Sequence, residues 1–184
     1  MERLGQRIIK NNFVKQTLPS PGLYGHDYED FVKQQLEIEL PTNQNLVNNV
    51  SYTITTHEWK RPLQLGELDF MVLDFSTDQL LTVFEAKSMH DPVYMRRAYT
   101  KASKQLSRFI GCLGSLHLIP GMNMCFQFEY EEVDLGNPRE WDVHKVQPVI
   151  ILGPVDKAQQ HSKKAKRIGH IHPRTLDNPQ DNAA

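Results

Sequence analysis

Residues 66–87 read GELDFMVLDFSTDQLLTVFEAK and contain two apolar runs separated by residues that favour a turn. Side chains two positions apart lie on the same face of a β-strand, so Glu67 and Asp69 are predicted to share one face of the first strand. The opposite face would carry three apolar side chains, which are Leu68, Phe70 and Val72. Between the runs lie residues with turn chemistry, Asp74, Ser76, Thr77 and Asp78, so the segment is predicted to form a β-hairpin.

The second strand ends in a short charged motif. Glu85 and Lys87 are predicted to share a face of this strand, with Ala86 on the opposite face. Both strands are mostly apolar, which favours a buried position in a sheet. Burying Asp69, Glu85 and Lys87 there costs free energy unless these groups meet one another or a cation. The cost of burial therefore predicts a functional site at this hairpin.

The chemistry that suits such a site is metal-assisted hydrolysis of a phosphodiester. Two carboxylates, a backbone carbonyl and a few waters form an oxygen cage for Mg²⁺, which is a hard cation. A bound metal lowers the pKa of its water and offsets negative charge in the transition state. A lysine on the same face as Glu85 can orient the attacking water. The predicted cofactor is one or two Mg²⁺ or Mn²⁺ ions.

These residues resemble the PD-(D/E)xK nuclease superfamily. Leu68-Asp69 stands where that family often has Pro-Asp, and Glu85-Ala86-Lys87 stands for its E-x-K motif. The GELD version is most similar to the Holliday-junction-resolvase and RecB-type branches. The resemblance implies a restriction-endonuclease-like α/β core. It also implies that Asp69, Glu85 and the Ala86 carbonyl bind the metal and that Lys87 positions the nucleophile.

A helix is predicted upstream, because apolar residues recur at helical spacing over residues 26–40. Gly25-x-x-x-Glu29-x-x-Val32-x-x-x-Leu36 resembles the family's first-helix signature, whose Glu leans toward the metal. The resemblance makes Glu29 a candidate catalytic residue and metal ligand. His26 lies one helical turn earlier, and some viral cap-snatching endonucleases of this superfamily use a histidine ligand from the first helix. The competing interpretations are that Glu29 is a solvated helix acid and that His26 caps the helix or contacts substrate.

A second helix is predicted over residues 93–113, with a basic stripe opposite its apolar face. The stripe, which consists of Arg97, Lys101, Lys104 and Arg108, is predicted to bind the backbone of a nucleic acid. No acidic residue interrupts it between Arg96 and Gly111, although helices normally mix charges. Gln105 lies at the boundary of the two faces. Gln105 to Phe109 loosely resembles the Q-x-x-x-Y motif of RecB-type nucleases, which implies that Gln105 steadies Lys87 or a phosphate.

The predicted elements follow the order α-β-β-β-α-β-β. Strands are expected near residues 46–56, 66–75, 80–87, 122–131 and 146–152. This order matches the superfamily core and predicts three regions. They are an N-terminal extension at 1–24 with a short helix in residues 1–12, a nuclease core at 25–152, and a basic C-terminal tail at 153–184.

Composition limits the class of protein. The chain has 184 residues, 39% of them hydrophobic, and a formal net charge of −1, so any nucleic-acid surface must be local. No apolar run is long enough for a membrane span, and no signal peptide is apparent. Cys112 and Cys125 are predicted to be reduced core residues of an intracellular protein, and two cysteines cannot hold a four-cysteine iron–sulfur cluster. A glycine-rich phosphate loop is missing, so an ATP-driven motor is not expected.

The sequence thus predicts a metal-dependent nuclease that acts on nucleic acid, with DNA favoured over RNA. Three alternatives remain open at this stage. The chain could be a nuclease-like module that binds without cutting, a cap-snatching-type RNA endonuclease that uses His26, or an unrelated α/β domain with structural acidic pairs. The motifs leave open exonuclease or endonuclease action and a homo-oligomeric state, since many relatives cut as dimers.

Overall fold

The fold is that of a computed structural model, which describes residues 13–56, 63–89, 91–128 and 135–154. Within these residues the chain forms an α/β structure with a mixed six-stranded sheet. The elements in chain order are β1 (Val14–Thr17), α1 (His26–Glu39), β2 (Gln44–Thr55), β3 (Leu63–Asp74), β4 (Gln79–Met89), α2 (Met95–Leu118), β5 (Asn123–Phe128) and β6 (Gln147–Pro154). Short 3₁₀ turns occur at Pro92–Tyr94 and Pro138–Glu140. The α/β class and the α-β-β-β-α-β-β order from α1 to β6 are confirmed.

The strands lie in the order β1-β6-β4-β3-β2-β5. Strands β2, β3 and β4 form an antiparallel meander, and β5 pairs antiparallel with β2. Strand β6 pairs parallel with β4 on one side and with β1 on the other. Strand β4, which carries the E-x-K motif, is therefore a central strand.

Strand β1 differs from the prediction, which assigned residues 1–24 to an extension outside the core. Val14–Thr17 is an edge strand of the same sheet, paired from Val14↔Val149 to Thr17↔Leu152. Its sequence, VKQT, is mostly polar and solvent-exposed, so it carries no apolar alternation. Backbone hydrogen bonds to β6 hold this strand, and a hydropathy pattern does not register them.

Two apolar layers cover the sheet, one under each helix. Helix α2 packs on one face through side chains at helical spacing, which are Ala102, Leu106, Phe109, Leu113 and Leu116. Helix α1 packs on the other face through Tyr28 and Val32. Residues of β4 alternate between the layers, because Val83 belongs to the α2 layer and Phe84 to the α1 layer.

The alternation in β3 is interrupted at Asp69. Leu68 packs in the α2 layer, whereas Phe70 and Val72 pack in the α1 layer, so the prediction that these three share one face is wrong. On the neighbouring strand, Asn49 lies between the pairs Asn48↔Phe70 and Val50↔Leu68 and has a left-handed φ of 51°. Strand β2 reverses at the same point, since Val47 and Val50 both pack in the α2 layer, so the two strands share the irregularity at Asn49 and Asp69.

The hairpin turn is confirmed at residues 75–78 between β3 and β4. The Asp74 carboxylate accepts hydrogen bonds from the Ser76 backbone N–H at 2.8 Å and from the Ser76 hydroxyl at 2.5 Å. Asp78 completes the turn with a left-handed φ of 51°, a conformation that Asp tolerates better than most residues.

The predicted helix in residues 1–12 and the basic tail from residue 155 onward lie outside the described residues. Gly153 and Pro154, predicted to begin that tail, are the last residues of β6. Cys125 lies exposed on β5 rather than in the core, because β5 is an edge strand, while Cys112 is half-buried. None of the described helices is long and apolar enough to cross a membrane.

Candidate metal and nucleic-acid site

Strands β3 and β4 stop pairing at the proposed site. Their ladder ends at the pair Phe70↔Phe84, one residue before Asp69 and Glu85. The Asp69 carboxylate fills the gap, since its Oδ2 accepts a hydrogen bond of 2.7 Å from the Ala86 backbone N–H. A side chain thus takes the place of a backbone acceptor and holds Asp69 in one position against β4.

Lys87 joins the two acidic side chains. Its Nζ lies 3.0 Å from Asp69 Oδ2 and 2.8 Å from Glu85 Oε2. The exposed fractions of the side chains are 15% for Asp69, 20% for Lys87 and 0% for Glu85. The structure therefore brings together the three residues of the D…E-x-K motif, with an ammonium group between two carboxylates.

Glu85 is the deepest member of this group. Its Oε1 is buried and has no hydrogen-bond partner among the described residues. Burial, reinforced by the Asp69 charge, raises the pKa of Glu85 to about 8, although Lys87 opposes this shift. Burial alone would lower the pKa of Lys87, but the Asp69 and Glu85 carboxylates together raise it. Lys87 thus stays charged, while Glu85 holds its proton more tightly than an ordinary carboxyl.

Helix α1 brings Glu29 toward the same site. Glu29 is half-buried, and burial followed by the charge of Asp69 raises its pKa, while Lys87 and His26 lower it. His26 Nδ1 lies 3.1 Å from Glu29 Oε2, but the His26 side chain is 93% exposed. These interactions place Glu29 within electrostatic reach of Asp69 and Lys87, with His26 at the solvent edge.

Three other residues of the GELD, Q-x-x-x-Y and E-x-K motifs form no hydrogen bond or ion pair with the Lys87 side chain among the described residues. Glu67 is exposed on β3, where it pairs with Ser51 of β2. Gln105 Oε1 is buried without a hydrogen-bond partner in the described part of the chain, so it does not accept a bond from Lys87. Ala86 contributes its N–H to Asp69, a contact that the motif did not predict.

The basic residues of α2 divide into two groups. Arg97, Lys101 and Lys104 line an open cleft of about 870 Å³ between the end of β4 and the start of α2. Arg108 does not line this cleft, and its charge acts instead on the Tyr52 hydroxyl and the Cys112 thiol. The cleft also contains Arg96 and Tyr94, which the sequence analysis did not select.

The donor set fits a hard divalent cation in number and kind. Mg²⁺ is commonly held by one or two carboxylates together with several waters. Asp69 and Glu85 supply two carboxylates, and the buried Oε1 of Glu85 lacks a partner. No group of three or more His, Cys, Asp and Glu side chains within the described ranges is arranged to hold a metal. Because Lys87 lies between the carboxylates, a cation would bind only if the ammonium group moved aside.

Comparisons of the chain with protein-family models, with curated proteins and with solved structures found no match. The features of this chain that indicate a function are the geometry around Asp69, Glu85 and Lys87 and the motif that these residues form in the sequence. The acid-free basic helix that follows them is a further such feature.

Proposed function

We propose that this protein is a metal-dependent nuclease with a restriction-endonuclease-like core, and that its substrate is DNA. The observation that carries the proposal is the convergence of Asp69, Glu85 and Lys87 where β3 and β4 separate. Charged side chains are rarely buried on central strands unless they serve a site, because their desolvation is costly. The basic cleft directly beyond β4 supports nucleic acid as the substrate.

The residues that would hold Mg²⁺ or Mn²⁺ are Asp69 and Glu85, with the Ala86 carbonyl as a further oxygen ligand and Glu29 acting through water or at a second ion. When bound, the ion lowers the pKa of a water molecule and offsets charge on the scissile phosphate. Asp69 is held by the Ala86 N–H, so its carboxylate needs little reorganisation before it can act.

Lys87 has the charge and position of an electrostatic catalyst. Its ammonium group carries three donors, one of which bonds Asp69, and it lies within ion-pair distance of Glu85 in this structure. If a metal ion neutralised the two carboxylates, the Lys87 ammonium group would be free to orient the attacking water and to stabilise the phosphate oxygens. Glu85 would have to lose its proton to bind a metal ion. Because its pKa is raised, metal binding should depend on pH.

A second candidate function is a nuclease-like module that binds nucleic acid without cutting it. One observation favours this reading: Lys87 already contacts both acidic side chains, so the three groups form a self-contained buried network. In such a module the network would specify the strand arrangement, and the basic cleft alone would bind the ligand.

A cleavage panel separates the two functions. Linear, circular and branched DNA and single-stranded RNA would be incubated with Mn²⁺, and Lys87→Met would serve as the inactive control. A nuclease cuts at least one DNA substrate, and the variant does not. Cleavage of RNA alone, lost in His26→Gln, would instead favour the cap-snatching type of enzyme. No cleavage of any substrate, despite retained binding, would leave the non-cutting module.

A further inference from the structure

The cleft beside the E-x-K strand has both charged and apolar walls. Its cations are Arg96, Arg97, Lys101 and Lys104. Its uncharged lining residues are Ser88, Met89, Val93, Tyr94, Ala98 and Thr100. The cleft begins at Ser88, the residue that follows Lys87 in the chain, so it lies next to the end of the strand that carries the E-x-K motif.

No acidic partner of the four cations occurs among the described residues. None of them forms an ion pair with another residue in the part of the chain that the structure describes. The sequence contains no Asp or Glu from residue 92 to residue 128, so no residue of α2 is acidic. Helices normally balance their charges through i, i+4 pairs, and an unbalanced cluster that lines a concave surface is suited to a polyanion.

Two large hydrophobic side chains are exposed at the same cleft. Val93 is 79% exposed and Tyr94 is 57% exposed. The 3₁₀ turn that carries them is fixed by Asp91, whose side chain and carbonyl accept hydrogen bonds from the backbone N–H groups of Val93 and Tyr94 at 2.9 and 3.0 Å. The Tyr94 ring is thus presented to solvent by a short, hydrogen-bonded turn at the start of α2.

We propose that this cleft binds an unpaired segment of DNA, with a base stacked on Tyr94 and the adjoining phosphates on Arg96, Arg97, Lys101 and Lys104. Phosphates alone would need only the cations, and the bases of a duplex are stacked on one another and cannot reach a protein ring. An unpaired base exposes its face, and a combination of cations with an aromatic ring is the usual means of binding single strands. The inference rests on the proposed nuclease function and narrows its substrate to DNA that carries a single-stranded region beside the cut.

Fluorescence anisotropy in EDTA tests this cleft without cleavage. The probes are a labelled oligothymidylate and a duplex of the same length, and the variants are Tyr94→Ala, Tyr94→Phe and Phe75→Ala. Tyr94→Ala should weaken binding of the single strand about tenfold, as expected for the loss of one base–aromatic contact, and should leave duplex binding unchanged. Tyr94→Phe should retain binding. Phe75 is a matched control, because it is 52% exposed in the turn at the opposite end of β4.

Two results would overturn the inference. One is an equal effect of Tyr94→Ala on both probes or on neither. The other is displacement of the oligothymidylate by polyglutamate of matched charge as readily as by unlabelled oligothymidylate, which would mark a general polyanion surface. The cleft proposal and the nuclease proposal can fail separately. Binding through Tyr94 without cleavage in Mn²⁺ would support the cleft proposal and reject the nuclease proposal. Cleavage with unchanged binding in Tyr94→Ala would support the nuclease proposal and reject the cleft proposal.

Discussion

The ring of Tyr28 lies directly against Gly153, so closely that a Cβ added to the glycine would overlap the ring atoms. Tyr28 belongs to α1 and is 1% exposed, while Gly153 belongs to β6 beside β4. The Tyr28 hydroxyl donates a 2.9 Å hydrogen bond to the Leu18 carbonyl, which fixes the ring from its other end. The contact sets the height of α1 above the sheet, and with it the reach of Glu29.

The first prediction is that Gly153→Ala destabilises the protein by about 1–3 kcal/mol, because overpacking forces a buried ring and its helix to shift. Urea unfolding measures the loss. Gly111→Ala is the matched control, since an added Cβ there meets nothing within 4 Å. That change should stabilise α2 by roughly 0.5–1 kcal/mol, because alanine favours a helix interior over glycine. Equal stability of Gly153→Ala and the wild type would mean that α1 adjusts freely.

A second prediction concerns Lys87, whose ammonium group contacts the two carboxyl groups proposed to bind the metal. Lys87→Met should lower cleavage by about 10²–10³-fold, because it removes a charge that acts on the transition state. The same change should increase the rise in melting temperature produced by Mn²⁺, since it removes the ammonium group that competes with the metal. Asp69→Ala and Glu85→Ala should abolish both cleavage and the response to Mn²⁺. A weaker Mn²⁺ response in Lys87→Met would show that the ammonium group does not occupy the metal position.

The third prediction follows from the raised pKa of Glu85. Between the ordinary value of 4.5 and about 8 the folded state retains a proton that the unfolded state releases. Stability must therefore fall as pH rises through this window, by a contribution on the order of a few kcal/mol. Glu85→Gln keeps the size of the side chain but does not titrate. The free energy of unfolding of the variant should therefore rise relative to that of the wild type as pH increases through this window. A difference that is constant from pH 5 to about pH 8 would exclude the shift.

Glu29 provides the fourth prediction. Glu29→Gln should lower activity about 10–100-fold, the range expected for a residue that supports metal ligands without being the principal one. It should also raise the Mn²⁺ concentration that gives half-maximal cleavage, because the affinity for the metal falls. Asp27→Asn and Asp30→Asn are controls on the same helix, because both side chains are exposed. Activity that falls in Asp30→Asn and not in Glu29→Gln would identify a different face of α1 as the one that serves the site.

The last prediction concerns the cleft cations. Lys101→Gln combined with Lys104→Gln should reduce the salt dependence of single-strand binding by a slope of about 1.4, since each neutralised phosphate of a single strand contributes about 0.7. Lys33→Gln with Lys145→Gln removes the same charge elsewhere, from ion pairs with Glu37 and Asp142. This control should leave the slope unchanged. Slopes that shift equally in the two double variants would reflect net charge rather than a local site.

The sequence was sufficient for the order of elements and for the meeting of Asp69, Glu85 and Lys87. Apolar periodicity defined both helices within a few residues, because each buries a full stripe of side chains. The charged triplet was predictable for a related reason: such groups on buried strands must compensate one another. Neither signal depends on contacts between distant segments.

The features that escaped prediction depend on such contacts. Strand β1 has too little apolar content to be recognised without β6, its partner from the other end of the described chain. The reversal at Asp69 coincides with a left-handed conformation at Asn49 on the adjacent strand. Tyr94 escaped because the basic stripe was defined by its cations alone, although Tyr94 precedes Lys101 by seven residues and so falls on the same side of the predicted helix. An absence of acidic residues from 92 to 128 was the available signal for the cleft.

Strand β6 is the last described element of the chain, yet it lies between β1 and β4. The pairs Glu85↔Ile150 and Lys87↔Leu152 enclose the E-x-K motif on that side. During synthesis on the ribosome, chains that end before residue 147 carry the complete motif on an open edge strand. Until β6 has emerged the motif therefore lies on an unpaired edge, and chains that stop before residue 147 are expected to aggregate through that edge.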